Sequence, residues 1–194
     1  MTRITPGFDE TERPAVAKLY WGAFGGKLGR VLGPKRLALK FIVDNLRPDH
    51  ALVARSEAGQ MLGVVGFKTY EGALVGGGFH DLRRVYGILG ATWRAAILML
   101  LERDTDNERF LLDGLFVSPQ ARGQGIGTAL LNAICQEALS RGYRKLRLDV
   151  IDSNPRARAL YEREGFEPKG TTDMGPFSKL FGFSSATTMV KTLA

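Results

Sequence analysis

The sequence predicts a mixed α/β (α+β) fold in which helices flank one central sheet. Apolar residues recur at helical spacing in some segments and as short continuous or alternating runs in others, which indicates both helices and strands. In its second half the chain alternates strand, helix, strand, helix, strand and strand. Of the 194 residues, 44% are hydrophobic and 24% are charged, a balance typical of a globular domain with a buried core.

Proline and glycine divide the first half of the chain into its elements. Pro34 suits the first position of a helix, and Pro48 ends that helix. Gly25, Gly26 and Gly29 predict a loop between the first two helices. The predicted elements are, in order, a strand at 2–5, helices at 10–24 and 34–46, strands at 51–56 and 61–70, and a helix at 81–102.

The second half of the chain is more regular. A mostly apolar run at 110–117 predicts a buried strand, and Gly142 and Gly165 end the two helices that follow it. The predicted elements are, in order, the strand at 110–117, a helix at 127–140, a strand at 145–150, a helix at 155–164, and strands at 166–173 and 186–193. Neither a repeat nor a linker is present, so we expect a single domain over 1–194 with a helical insertion at about 72–109.

Composition excludes several classes of protein. Cys135 is the single cysteine, so no intrachain disulfide can form. With one cysteine and two histidines the sequence has no zinc-site spacing, and no metal is expected. The first ten residues lack a signal pattern, and the longest apolar run is far shorter than the about 20 residues that span a bilayer. We therefore expect a cytoplasmic protein without a membrane partner.

The net charge of +7 indicates an anionic partner. A nucleic acid, an acidic membrane surface and a phosphorylated cofactor all carry the complementary charge. A nucleic-acid-binding protein would show a basic patch interleaved with aromatic residues and a recognisable motif, and the sequence has neither. No nucleic acid is therefore expected, and nucleic-acid binding is kept as the weakest of the alternative functions.

A glycine-rich turn between a strand and a helix is the most informative segment. It contains Val-Ser-Pro-Gln-Ala-Arg-Gly-Gln-Gly-Ile-Gly-Thr over 117–128. Glycines bring backbone N–H groups close to a ligand, and the start of a helix favours a phosphate. A nucleotide-hydrolase phosphate loop is excluded because its lysine is missing.

Three interpretations of this turn stay open. An Arg-x-x-Gly-x-Gly anion site fits Arg122, Gly125 and Gly127. A dinucleotide site would use Asp149, which ends the next strand, to bind a ribose. The third interpretation is a tight turn that binds nothing.

A second motif follows about thirty residues later, Asn-x-x-Ala-x-x-Leu-Tyr-Glu-x-x-Gly-Phe over 154–166. The first motif is a strand that ends in Val-x-Pro, followed by Arg-x-x-Gly-x-Gly-x-x-Leu-Leu. With the two motifs at this spacing, the stretch 111–169 strongly resembles the GNAT superfamily of acetyl-CoA-dependent N-acetyltransferases. The resemblance implies a single-domain, mixed but mostly antiparallel sheet with a splayed parallel strand pair at the cofactor site.

The resemblance implies acetyl-CoA as the cosubstrate and assigns residues to its binding. Leu115, Phe116 and Val117 would offer backbone groups to the pantetheine arm, and an N–H near Leu115 could polarise the thioester. Asn154 is an excellent helix N-cap before Pro155, and by resemblance it would also contact pantetheine or substrate. The backbone amides implied to hold the pyrophosphate are those of Arg122, Gly123, Gln124, Gly125, Ile126, Gly127 and Thr128.

The implied reaction is direct attack by a neutral primary amine, without an acyl-enzyme. Tyr161 matches the family position that protonates the leaving thiolate, and its alternative role is core packing. Asp113 is our first choice for the general base. Its alternative role is to mark a β-bulge or to pair with an arginine. Glu71 is the reserve base, and His80 could also reach the site.

The acceptor side of the site is the least defined by the sequence. In the family it is formed by the first two helices, their loop and the last strand pair, which implies Trp21, Phe24, the 25–33 loop, Phe177, Phe181 and Phe183. Trp21, Phe24 and Glu71 are the expected substrate-binding residues, and aromatic residues can equally be core. The 72–109 insertion would be a wall of this site, a lid or the contact of a homodimer.

The acceptor itself would be a small molecule or a peptide with a primary amine. The alternative to an enzyme is a catalytically silent acyl-CoA-binding sensor. The two functions share the glycine loop and differ at Tyr161 and Asp113.

Overall fold

The computed structural model describes residues 2–101 and 110–194, so the last part of the expected insertion, 102–109, lies outside the described residues. The strands are β1 (Arg3–Pro6), β2 (Ala51–Arg55), β3 (Met61–Lys68), β4 (Phe110–Val117), β5 (Lys145–Ile151), β6 (Glu167–Asp173) and β7 (Ser185–Thr192). Within the described ranges these seven strands form one sheet in the order β1-β2-β3-β4-β5-β7-β6. Only the pair β4 and β5 is parallel there, which confirms a mixed, mostly antiparallel sheet.

Helices cover both faces of this sheet. They are α1 (Arg13–Leu32), α2 (Lys35–Asn45), α3 (Phe79–Leu101), α4 (Ile126–Ser140), α5 (Pro155–Arg163) and the short α6 (Ser178–Phe181). Apolar residues of α4, such as Leu130 and Ile134, pack in one core with Phe67 of the sheet. The opposite core joins Val16 of α1 and Ile42 of α2 to the other face of the sheet, and α3 packs onto it.

The predicted loop at 25–33 is wrong, because α1 continues to Leu32. A Cβ on Gly25 would lie 2.9 Å from the ring of Trp21, so the missing side chain lets the indole fold back along its own helix. Packing against α2 and the sheet outweighs the low helix propensity of glycine. The helix ends two residues before Pro34, which is the N-cap of α2.

Strand β4 contains a β-bulge at Asp113. Gly66 of β3 pairs with Gly114, but the next residue of β3 pairs with Leu112, so Asp113 is the extra residue. The two cores show the effect: Leu112 packs on the α4 side of the sheet, whereas Phe116, four residues later, packs on the α1 side. In a regular strand residues four apart share one face, so the bulge has exchanged the faces.

Strands β4 and β5 separate after Leu111, two residues before the bulge residue. Their parallel pairing covers only Phe110 with Leu146 and Leu111 with Arg147. Strand β5 stays paired with β7 as far as Ile151. A bulge bends its strand and increases the local twist, which accounts for the separation. The splayed parallel pair expected from the sequence is therefore present.

Candidate functional site

A cavity of about 460 Å³ lies where β4 and β5 separate. Strand β4 contributes Asp113, Leu115 and Phe116 to its wall, and α5 contributes Tyr161, with Asn154 just before that helix. Five residues that the family resemblance assigned to the site thus meet in one place. Aromatic residues expected on the acceptor side also line it, namely Phe24, Phe181 and Phe183.

The glycine loop leads into the N-terminus of α4. Gly123 and Gly125 have φ of 77° and 76°, a left-handed conformation that favours glycine, and a Cβ on either would meet no atom within 4 Å. Ala129 donates the first hydrogen bond of the helix, to the carbonyl of Gly125 at 3.0 Å. The N–H groups from Gly125 to Thr128 are therefore the ones that a helix start leaves for an anion.

Close packing joins this helix start to the cavity. A Cβ on Gly127 would lie 3.1 Å from Leu160 of α5 and 3.9 Å from Leu115, which lines the cavity. The hydroxyl of Thr128 donates to Glu164, just after α5, at 2.9 Å. Because this hydroxyl proton is used, the N–H of Thr128 is the donor that remains for an anion. The N-terminus of α4 and the helix that carries Tyr161 are thus held against each other.

Helix α5 places two of the predicted residues. As its position before Pro155 predicted, Asn154 caps the helix, and its Oδ1 accepts from the N–H of Ala157 at 3.2 Å. Tyr161 is buried beside Phe166, and burial raises the pKa of its phenol to about 12. Tyr161 thus packs in the core and also lines the cavity. At neutral pH its hydroxyl stays protonated and is a hydrogen-bond donor.

The region around Asp113 includes Tyr20, which neither sequence motif indicates. Burial raises the pKa of Tyr20, and the nearby charge of Asp113 raises it further. The Tyr20 ring packs 4.8 Å from that of Phe24 and 5.5 Å from that of Phe116. Because Tyr20 and Phe24 are four residues apart on α1, they lie on one helix face, and this spacing could have indicated the pair.

A second cavity, of about 550 Å³, adjoins the first. Both cavities are lined by Asp113, Arg147 and Asp149, and the second also by Lys68. We call these four residues the polar floor. Within it Nη2 of Arg147 lies 3.2 Å from Asp149, whose carboxylate also accepts from the Thr188 hydroxyl at 2.5 Å. Asp149 thus lines this cavity together with Phe41 and Ile42 of α2.

The other predicted residues lie elsewhere in the described part of the chain. Neither Trp21, Glu71 nor His80 lines either cavity there. Trp21 packs on Gly25. Glu71 is exposed, and its carbonyl accepts a hydrogen bond from Arg47 at 2.5 Å. His80 is exposed at the start of α3.

Arg122 is exposed beside the glycine loop, and its Nε donates to the carbonyl of Val117 at 3.4 Å. The side chain of Phe177 lies outside the described residues.

Two features are absent from residues 2–101 and 110–194. No group of three or more His, Cys, Asp or Glu side chains in these ranges is placed to hold a metal ion. No helix in the same ranges combines the length and the apolar character that crossing a membrane requires.

Comparison with known proteins defines the class. Residues 14–166 match the sequence profile of the Acetyltransferase (GNAT) family. That match covers well over half of the chain, and the chain therefore belongs to this family. The resemblance that the two motifs suggested is confirmed.

Individual relatives match only a short stretch of this chain or match it at low identity. The chain is 43% identical over 54 residues to the thialysine N-epsilon-acetyltransferase of Bos taurus, which covers 28% of this chain and 32% of that protein. Among solved structures, an N-acetyltransferase from Staphylococcus aureus Mu50 is 17% identical with a TM-score of 0.66, over 97% of this chain and 100% of that one. A GNAT family acetyltransferase from Elizabethkingia anophelis with acetyl-CoA bound is 15% identical with a TM-score of 0.62, over 99% of this chain and 98% of that one. At these identities the two structures show the fold alone.

Proposed function

We propose that this protein is an N-acetyltransferase that transfers an acetyl group from acetyl-CoA to a primary amine. The observation that carries the proposal is the separation of β4 and β5 after Leu111, at the Asp113 bulge, near the backbone amides at the start of α4. Membership of the GNAT family and the acetyl-CoA bound to the Elizabethkingia protein support the donor. The name of the bovine relative, an N-epsilon-acetyltransferase, supports an amine acceptor.

The residues present fit acetyl-CoA, which supplies an activated thioester. Open space beside Gly123 and Gly125 leaves room for a pyrophosphate at the amides of 122–128, and the Arg122 guanidinium adds a positive charge. The gap between the strands would take the pantetheine arm along Leu115, Phe116 and Val117. Asn154 lies on the same wall, with its cap bond to α5 already made.

Proton transfer is assigned to two side chains on the cavity wall. The amine nitrogen bonds to the thioester carbon as the carbon–sulfur bond breaks, so the nitrogen loses a proton and the sulfur gains one. Asp113 is the proposed acceptor of the amine proton, and Tyr161 the proposed donor to the sulfur. The N–H of Leu115 would polarise the carbonyl. Cys135 is buried and burial raises the pKa of its thiol, which supports direct attack without an acyl-enzyme.

The acceptor side is proposed to be the second cavity. Its outer wall contains Gly72, Gly76 and Gly77 and, from α3, Leu98. This favours the interpretation of the 72–109 segment as a wall of the acceptor site. Phe24 is kept as a substrate-binding residue, since it lines the first cavity. The homodimer stays a prediction.

Titration of the protein with acetyl-CoA in a calorimeter, followed by an assay of thiol release across a panel of amines, tests the proposal. We expect binding and amine-dependent release of the CoA thiol. Failure to bind acetyl-CoA would contradict the proposal. Binding without turnover of any amine would favour the catalytically silent sensor instead.

A further inference from the structure

The polar floor has an ordered arrangement of charges. Lys68 of β3 pairs with Leu111 of β4, and Leu111 pairs with Arg147 of β5, so the two basic residues lie in one row across three strands. Asp113 and Asp149 each follow that row by two residues. At about 3.3 Å per residue, the Cα atoms of the acidic row lie about 7 Å further along the sheet, on the side where β4 and β5 separate. The side chains of Arg147 and Asp149 reach across this offset to within 3.2 Å of each other.

This arrangement makes the cavity electrically balanced. The ionisable side chains among the described residues that line the second cavity are Tyr20 and the polar floor, that is, two acids and two bases. Arg147 is largely buried, with 18% of its side chain exposed, and Asp149 is 40% exposed. A purely cationic acceptor entering this cavity would meet both signs at once, and its attraction to the acids would be offset by repulsion from the bases.

We propose that the acceptor is a zwitterion, a small molecule with a carboxylate and an amine separated by a few carbon atoms. Its ammonium group meets the acidic row, where Asp113 stands at the gap, and its carboxylate meets Lys68 and Arg147 in the basic row. This inference rests on the proposed transferase function and adds the class of acceptor.

The rest of the cavity suits the carbon chain of such a molecule. Its side walls are apolar and come from both helices that face the sheet and from α3, namely Leu28, Leu32, Phe41, Ile42 and Leu98. Apolar walls between two charged rows favour methylene groups between two charged ends.

Matched pairs of amines test the proposal, because each pair differs by one carboxylate. The pairs are lysine and cadaverine, 6-aminohexanoate and hexylamine, and leucine and 3-methylbutylamine. We expect kcat/KM, from release of the CoA thiol, to favour the carboxylate-bearing member by at least about tenfold in the pairs that react, as for a charge-assisted hydrogen bond. Equal or better turnover of the member without the carboxylate, or of peptide amines alone, would overturn the zwitterion.

A variant separates recognition of the carboxylate from a structural role. Lys68→Met removes one charge of the basic row and keeps a side chain of similar length. We expect the preference within a pair to fall about tenfold, with the acetyl-CoA Kd unchanged. Lys40→Met is the control, because Lys40 is exposed, pairs with Asp44 and lines neither cavity. If kcat/KM fell equally for both members of a pair, the assignment of Lys68 would be overturned.

The two proposals fail in different ways. Loss of the zwitterion preference, with acetyl-CoA binding and turnover of other amines intact, overturns the acceptor class and leaves the transferase. Absence of acetyl-CoA binding, or binding without turnover of any amine, contradicts the transferase itself.

Discussion

Replacing Gly125 by alanine separates the conformational role of this glycine from its role in binding. Its φ is 76°, and a Cβ there would meet no atom within 4 Å. The cost to stability is therefore conformational alone, about 1–2 kcal/mol for a left-handed L-residue. For a domain of this size that corresponds to a fall in Tm of about 2–8 °C.

The same methyl group should weaken the binding of acetyl-CoA. It would occupy the open space in which a phosphate approaches the amides from Gly125 to Thr128. A hydrogen bond to a charged group is worth about 1.5–3 kcal/mol, so loss of one such bond raises the Kd about 10- to 150-fold. Isothermal titration with acetyl-CoA measures this change, and a thermal melt measures the change in stability.

Gly142 offers a matched control at the other end of α4. Its φ is 84°, and a Cβ there would also meet no atom within 4 Å. We expect Gly142→Ala to lower Tm by a similar amount and to leave the Kd for acetyl-CoA unchanged. If both variants weakened binding equally, the effect would come from the stability of α4, and the proposed phosphate site would be refuted.

Three further substitutions test the proposed chemistry and the fold. Tyr161→Phe should lower kcat by about 10²-fold or more with little change in the acetyl-CoA Kd, measured by thiol release and calorimetry; unchanged turnover would assign Tyr161 to packing alone. Asp113→Asn should lower kcat/KM by about 10²-fold, and raising the pH should restore part of it as the neutral amine increases; a pH profile parallel to that of the wild type would argue against a base. Glu12→Gln should destabilise the protein by about 1 kcal/mol at pH 7, because Glu12 makes a two-fold hydrogen-bonded pair with Arg55 of β2. That pair lowers the pKa of Glu12 from 4.5. Its contribution to the free energy of unfolding is therefore present above pH 4.5 and is lost as the pH falls through the folded-state pKa. If urea unfolding gave the same difference in free energy between wild type and variant at pH 7 and at pH 2, this reasoning would be contradicted.

Local sequence chemistry predicted the parts of the site that depend on neighbouring residues. The alternating glycines predicted the turn before α4, and Gly123 and Gly125 adopt the left-handed backbone that this requires. Asn154 before Pro155 predicted the cap of α5. Asp113 beside Gly114 was recognised as a position for a bulge, and the structure has one there.

The parts that the sequence did not predict depend on long-range register and packing. Lys68 and Arg147 share a row because three strands, distant along the chain, pair in one register. A one-residue slip would place one of them on the opposite face, and no local pattern fixes that choice. Gly25 was taken as a loop residue because propensity alone does not include the Trp21 ring that packs on it.

The bulge at Asp113 makes the site depend on one extra residue in β4. Deleting Gly114, which carries no side chain proposed to touch a ligand, would restore regular pairing with β3 and leave Leu115 and Phe116 on their present faces. The straightened strand could then continue its pairing with β5 and close the gap. Substitutions around the cavity can change what binds, but a single deletion in β4 would remove the place where anything binds.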